Sequence, residues 1–200
     1  MYISGHPLDD YSIILTDVCS NHAPDLADIS PYKDKDITVG GIVTSVRTGQ
    51  TKTGKPYGIV KLEDYDGAGE IALFGDDWAR HSGYFTIGNS LFITAHVEER
   101  HWKPGNYDLH ITKIEFLSDV KENKIQRITF TLNLDELDDI AAQDLSTHLQ
   151  KAGKTELYFN VREPKRSFNV TLRSQTPGIA VTKELVDFVK ETPGISYKLN

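Results

Sequence analysis

The stretch Asp36-Ile37-Thr38-Val39-Gly40-Gly41-Ile42-Val43-Thr44-Ser45-Val46-Arg47 opens the part of the chain that decides the fold. Val39, Ile42, Val43 and Val46 make residues 37–48 a strand, and the loop Gly49-Gln50-Thr51-Lys52-Thr53-Gly54-Lys55 follows. In residues 56–64, Gly58, Val60 and Leu62 alternate with Tyr57, Ile59, Lys61 and Glu63. That period of two marks a half-buried strand. Asp66-Gly67 predicts a hairpin turn, because glycine takes positive φ without a Cβ clash. A third strand covers 68–74, with Ile71 and Leu73 on one face and Glu70, Ala72 and Phe74 on the other. Gly75-Asp76-Asp77 opens a short helix running through Trp78 to about residue 84. A fourth strand spans 90–101, with Leu91, Ile93, Ala95 and Val97 on one face. Trp102-Lys103-Pro104-Gly105-Asn106 makes a turn, and 107–117 is a fifth strand.

Three strands, a helix and a hairpin are the order of an OB-fold, a five-stranded, partly open Greek-key barrel. Such barrels bind oligonucleotides or oligosaccharides on strands two and three and between two long loops. Gly40-Gly41 interrupts the alternation of strand one and is read as the bend that lets it serve both sides of the barrel.

Working outward, residues 1–35 read as a mostly irregular lead-in, with a short helix beginning at Pro7. It holds too few apolar positions for a core of its own, so it is expected to pack on the barrel or on preceding sequence, as in a fragment of a longer chain. After the barrel (36–118), residues 118–124 read as a charged linker. Residues 119–200 then form a small α+β domain. Its expected elements are a strand at 125–134 and a helix capped by Asn133 or Asp135 that runs to about Lys151. The apolar stripe of that helix is Leu137, Ile140, Ala141, Leu145 and Leu149, and Gly153 stops it. Strands at 155–162 and 167–173, a helix from Thr182 or Lys183, and a last strand at 195–199 complete the domain. The fold class is therefore mainly β plus α+β.

Composition bounds the function. No apolar run reaches the ~20 residues of a membrane helix, and no basic-then-apolar signal peptide is expected. The single cysteine, Cys19, cannot form an internal disulfide, which fits a reducing, cytoplasmic setting. The net charge of −7 argues against a general nucleic-acid binder. The charge is uneven, however. Residues 1–35 hold two lysines and six acids, residues 36–118 eight bases and eleven acids, and residues 119–200 twelve of each. Within the barrel, residues 47–57 carry Arg47, Lys52 and Lys55 and no acid, so a polyanion would have to meet that local patch.

Most other clusters have structural readings. Asp64-Tyr65-Asp66 reads as a turn rather than a magnesium site. Asp76-Asp77 and Asp138-Asp139 read as helix-start charges. His96, His101 and His110 lie on neighbouring strands without the ligand spacing of a zinc site, so no metal is expected. Cys19 reads as inert and His6 as a turn residue. The outer barrel face differs. Tyr57, Lys61 and Phe74 alternate away from the core, flanked by Arg47, Lys52 and Lys55, while Arg100, His101, Trp102 and Lys103 cluster at the other long loop. Aromatic rings stack on bases and cations neutralise phosphates, which holds a single strand without reading its sequence.

Tyr2-Ile3-Ser4-Gly5-His6-Pro7-Leu8, together with Gly41-Ile42-Val43-Thr44-Ser45-Val46-Arg47 and Leu62-Glu63-Asp64, resembles the bacterial replicative DNA polymerase III alpha subunit. The resemblance covers the whole chain as the lead-in, OB-fold and C-terminal domain of that subunit. It implies a parent DNA-directed DNA polymerase that uses two magnesium ions, with its catalytic aspartates in an upstream palm. It implies a non-catalytic, cofactor-free region here, with the barrel near single-stranded template DNA. The last domain would dock the clamp-loader tau subunit within the polymerase III holoenzyme. The candidate docking surface is Leu185, Phe188 and Val189 of the last helix with Tyr197 and Leu199. Two rivals are an RNA- or anticodon-binding OB module and a purely protein-binding assembly domain. An enzyme is the weakest reading, because no nucleophile–base pair is apparent.

Overall fold

A computed structural model describes residues 6–101 and 103–199, the side chain of Glu122 excepted. The chain divides into two compact units, Met1–Val120 and Lys121–Asn200. No helix among the described residues is long and apolar enough to cross a membrane.

The first unit runs α1 (Ser12–Asp17), β1 (Asp36–Gln50), β2 (Pro56–Glu63), β3 (Ala68–Phe74), α2 (Asp76–His81), β4 (Ser90–Glu99), β5 (Tyr107–Phe116) and the first half of α3 (Leu117–Lys124), in which the boundary falls. The strands form one sheet of order β3-β2-β1-β4-β5, antiparallel throughout. The first part of β1 pairs with β4 from Asp36↔His96 to Ile42↔Ser90, and the second part pairs with β2 from Ile42↔Glu63 to Gln50↔Pro56. One strand thus carries both sides of the barrel, as the OB-fold order predicts. The irregularity in its ladder lies between Val43 and Ser45, not at Gly40-Gly41. Those glycines serve close packing instead. A Cβ on Gly41 would sit 2.6 Å from the Glu63 carbonyl oxygen, and one on Gly40 would collide with Leu15.

Alternation predicted for β2, β3 and β4 is seen in the core. Val60 and Leu62, Ile71 and Leu73, and Leu91 and Ile93 meet Val39, Val43, Phe85 and Ile114 inside the barrel. Each such side chain taken from water contributes roughly 1.5–3 kcal/mol. Trp78 of α2 packs against this cluster, its ring stacked on Phe85 at 6.1 Å and 7°.

The lead-in is more ordered than its sequence suggested. A 3-10 turn at Asp9–Tyr11 runs into α1, which buries Ile13, Ile14 and Leu15. A second 3-10 turn, Ala23–Ala27, lies on β3, where a Cβ on Gly69 would overlap the Ala23 carbonyl. The buried carboxylate of Asp64 clasps the two segments. It accepts from the Ala23 amide at 2.7 Å and from the Asp66 and Gly67 amides at 2.9 and 3.1 Å. The predicted charged linker is the helix α3, whose Leu117 lies beside Gly40 together with Leu15. Leu117 and Val120 are both fully buried, and a spacing of three puts them on one helix face.

The second unit contains β6 (Arg127–Asn133), α4 (Asp139–His148), β7 (Ala152–Glu163), β8 (Phe168–Arg173), α5 (Lys183–Glu191) and β9 (Ile195–Leu199), in sheet order β8-β7-β6-β9. β6 and β7 run parallel, and α4 is the crossover such a pair requires. The cap of α4 is Asp138, whose side chain accepts from the Ala141 amide at 2.7 Å, rather than Asn133 or Asp135. The helix ends at His148, and Gly153 lies inside β7. Of its predicted stripe only Leu145 is buried, while Ile140 is 73% exposed. α5 is capped by Thr182, as expected. One face of the sheet presents Ile128, Phe130, Leu157 and Ile195 to the core, where Leu145, Leu185, Val186 and Val189 of the helices are also buried.

Two outcomes follow from this packing. Gly69→Ala drives a methyl into the backbone of the lead-in and is expected to cost ~1–3 kcal/mol in urea unfolding. Gly83→Ala, with nothing within 4 Å of its Cβ, is expected to be silent. His81 is buried with Nε2 unpartnered among the described residues, and burial pushes its pKa below the ordinary 6.5. The unfolded chain then binds the proton more tightly than the folded one. Stability is therefore full above pH 6.5 and declines as pH falls through and below it. His81→Gln is expected to flatten that part of a stability–pH curve measured by denaturant melts.

Candidate nucleic-acid interface

The outer face of β1, β2 and β3 is laid out by register. Gly49, Tyr57 and Phe74 form one row, Arg47, Ile59 and Ala72 the next, and Ser45, Lys61 and Glu70 the third. The Tyr57 and Phe74 rings lie 5.8 Å apart at 36°, and Phe74 is 51% exposed. Tyr57 leans over Gly49, where a Cβ would stand 2.8 Å from its hydroxyl. The absence of a side chain at Gly49 thus lets the aromatic surface extend over β1. Arg47 and Lys61 supply the cations beside it. Glu70 stands against them: its carboxylate takes Arg47 at 2.7 Å and lies directly across from Lys61.

At the end of β1, the Thr51 hydroxyl accepts from the Lys55 amide at 3.1 Å and the Thr51 carbonyl from the Gly54 amide at 2.9 Å. This tight turn presents Lys52 and Lys55 to solvent. The β4–β5 loop lies at the opposite end of β1, beside the Asp36↔His96 pair. Its cations are largely compensated, contrary to the cationic cluster expected from sequence. Arg100 is held by the Asp108 carboxylate, its Nε at 2.7 Å. His101 is exposed but stands 3.6 Å from Glu98. Lys103 is exposed. Glu99 pairs with Lys33, and that bond holds the carboxyl below and the ammonium above their usual pKa. The expectation for Trp102 falls outside the described residues.

His96 and His110 face each other across β4 and β5, but each turns to a carboxylate, Asp36 at 2.8 Å and Glu98 at 3.5 Å. Among the described residues, the group whose atoms lie within 4.8 Å of one another, as a metal needs, is His22, Asp64 and Asp66. Its His22 Nδ1 is 2.8 Å from Asp66, and Asp64 is already occupied by three backbone amides.

In the second unit the expected docking residues separate. Leu185 and Val189 are core side chains, so they offer no surface. Phe188 is half-buried, with the His148 ring at 4.8 Å. Tyr197 and Leu199 are half-buried across from Phe130 and Ile128. An apolar groove of about 400 Å³ lies elsewhere, lined by Leu132, Ala142, Leu145, Leu149, Leu157 and Phe159. Leu172 of β8, across from Phe159, is 49% exposed. This surface is not among the sequence-based expectations, and the alternation of Phe168, Val170 and Leu172 is the signal that could have pointed there.

Barrel and face together define an OB-fold nucleic-acid-binding domain, and residues 37–117 match the family of that description. Residues 128–200 match the family described as DNA polymerase III alpha subunit, C-terminal domain. With the relatives below, these matches make the chain similar to the C-terminal region of the DNA polymerase III alpha subunit. It is 26% identical to the DNA polymerase III subunit alpha of Borreliella burgdorferi over 86% of this chain and 15% of that one. With the subunit of Vibrio cholerae it shares 23% identity over 92% of this chain and 16% of the other. With that of Haemophilus influenzae it shares 36% over 38% and 6%. The chain thus spans about 15% of the length of the first of these relatives.

Glu70 is the acid that opposes a polyanion on this face. Glu70→Gln is expected to strengthen binding of a single-stranded oligonucleotide by about threefold, the equivalent of ~0.7 kcal/mol and typical of one exposed charge pair. Fluorescence anisotropy checks this.

Proposed function

We propose that this chain holds single-stranded template DNA across the outer face of β1, β2 and β3. The observation that carries the reading is the exposed Tyr57–Phe74 aromatic surface beside Arg47 and Lys61. Bases stack on the rings while phosphates meet Arg47, Lys52 and Lys55, which positions the strand without specifying it. Arg100, His101 and Lys103 play a lesser part, because acids of their own loop offset them. A net charge of −7 makes binding weak and salt-sensitive.

DNA synthesis itself, with deoxynucleotides and magnesium, belongs in this reading to upstream parts of the subunit, and the chain is a non-catalytic arm of the holoenzyme. The groove between α4 and β7, with Leu172 beside it, favours a second role: docking of a protein partner, which we take to be the clamp-loader tau subunit. An apolar groove with an exposed leucine at its margin is the form an interface core takes.

Phe74→Ala and Tyr57→Ala are each expected to weaken oligothymidylate binding roughly fivefold or more, since one stacked base is worth ~1–3 kcal/mol. Changing Lys52 and Lys55 to Ala is expected to lower the slope of log affinity against log salt by about 1.4, at ~0.7 per phosphate contact. Equal affinity and salt dependence in all variants would remove the barrel face as the site and favour the assembly-domain reading. Tighter binding of RNA than of DNA would favour the anticodon-type rival. For docking, Leu172→Asp is expected to reduce capture of the tau subunit at least tenfold, about 1.4 kcal/mol, in surface plasmon resonance. Unchanged capture excludes the groove.

A further inference from the structure

The sheet of the second unit has two unlike faces. One is apolar and takes the helices. The other alternates with it and carries Thr129 and Thr131 of β6, Tyr158 and Asn160 of β7, and Asn169 and Thr171 of β8, all exposed or half-exposed. We propose that this polar face of the second unit is a further binding surface for single-stranded nucleic acid, centred on Tyr158.

The Arg127 guanidinium lies 4.5 Å from the centre of the Tyr158 ring, and that of Arg173 lies 5.8 Å away. Glu156 reaches both, at 3.7 Å to Arg127 and 2.8 Å to Arg173. One carboxylate therefore orients two guanidinium groups beside one ring. Arg162 and Lys198, both exposed, extend the same face along β7 and β9. The twelve bases and twelve acids of residues 119–200 cancel overall, but among the described residues the strands of this face hold four cations against the acid Glu156. Local positive charge on a neutral unit is the footprint of a polyanion site.

Chemistry chooses among polyanions. An acidic peptide needs cations but makes no special use of a ring. Tyr158 with Arg127 and Arg173 beside it offers flat π-faces and planar cations, on which nucleobases stack and which at the same time neutralise phosphates. The threonine and asparagine side chains around them supply neutral donors and acceptors. An open four-stranded sheet with central aromatics is a known platform for splayed single strands. The width of four strands, at ~4.8 Å spacing, accommodates two or three nucleotides.

The test uses the whole 200-residue chain carrying Lys52→Ala and Lys55→Ala, so that the barrel is weakened. A short oligothymidylate is added, and backbone amide shifts are followed by NMR. Shifts at Tyr158, Asn160 and Arg173 are expected, and oligouridylate in a parallel titration tells DNA from RNA preference. Adding Arg162→Ala and Lys198→Ala, both at exposed positions, is expected to abolish those shifts and to lower the salt slope by a further ~1.4. Shifts confined to residues 36–117 would overturn the proposal. So would polyglutamate that moves the same amides as strongly, since an acidic-peptide surface would then be the better description. The two variant pairs lie in different units and are read out at different amides, so failure here leaves the barrel reading untouched, and the reverse also holds.

Discussion

The fold of the first unit depends on β1 belonging to two ladders at once. Ile42 pairs with Ser90 on one side and Glu63 on the other, and the strand changes partner there. A strand that turns from one ladder to the next must pass close to what it leaves and what it joins. Gly40 and Gly41 meet that need: Leu15 occupies the space of one absent side chain, and the Glu63 backbone that of the other. Once β1 is bent, its second half carries Arg47 and Gly49 onto the face formed by β2 and β3. The aromatic row at Gly49, Tyr57 and Phe74 is then a consequence of register.

Around the barrel, several charges are matched in local pairs. Arg100 faces Asp108, Lys33 faces Glu99, and Arg47 faces Glu70. Exposed pairs of this kind add little stability. Their larger effect is on the field that a polyanion meets, because each acid lowers the return on a nearby cation. Lys52 and Lys55 have no such acid within their turn, which is why the β1–β2 loop outweighs the β4–β5 loop as a candidate phosphate contact.

The barrel was legible because period-two alternation survives in its strands. Val60 and Leu62, then Ile71 and Leu73, point inward as their spacing says. What was missed has particular physical causes. α1 is short, and its burial comes from a notch at Gly40 far along the chain. The charges around α3 hid the pair Leu117 and Val120. Asp138 caps α4, whereas the sequence pattern offers Asn133 or Asp135 for that role. At the candidate site, sequence brought Tyr57, Lys61 and Phe74 to one face. It could not show that Glu70 would reach Arg47, since that contact depends on side chains crossing β2. It also assigned Leu185 and Val189 to a surface, because an amphipathic helix does not declare how much of its stripe its own domain consumes.

The clasp at Asp64 has a bearing on where the barrel begins. The segment matched as an OB-fold starts at Ile37, yet the barrel is finished by residues before it. Leu15 fills the notch at Gly40, the Ala23 carbonyl lies against Gly69, and the Ala23 amide satisfies a carboxylate that is 6% exposed. A protein cut at residue 36 would carry two unfilled notches and a buried acid short of one donor. The autonomous folding unit is therefore longer at its N-terminus than the recognisable motif, and a minimal barrel for solution work has to begin ahead of Leu8.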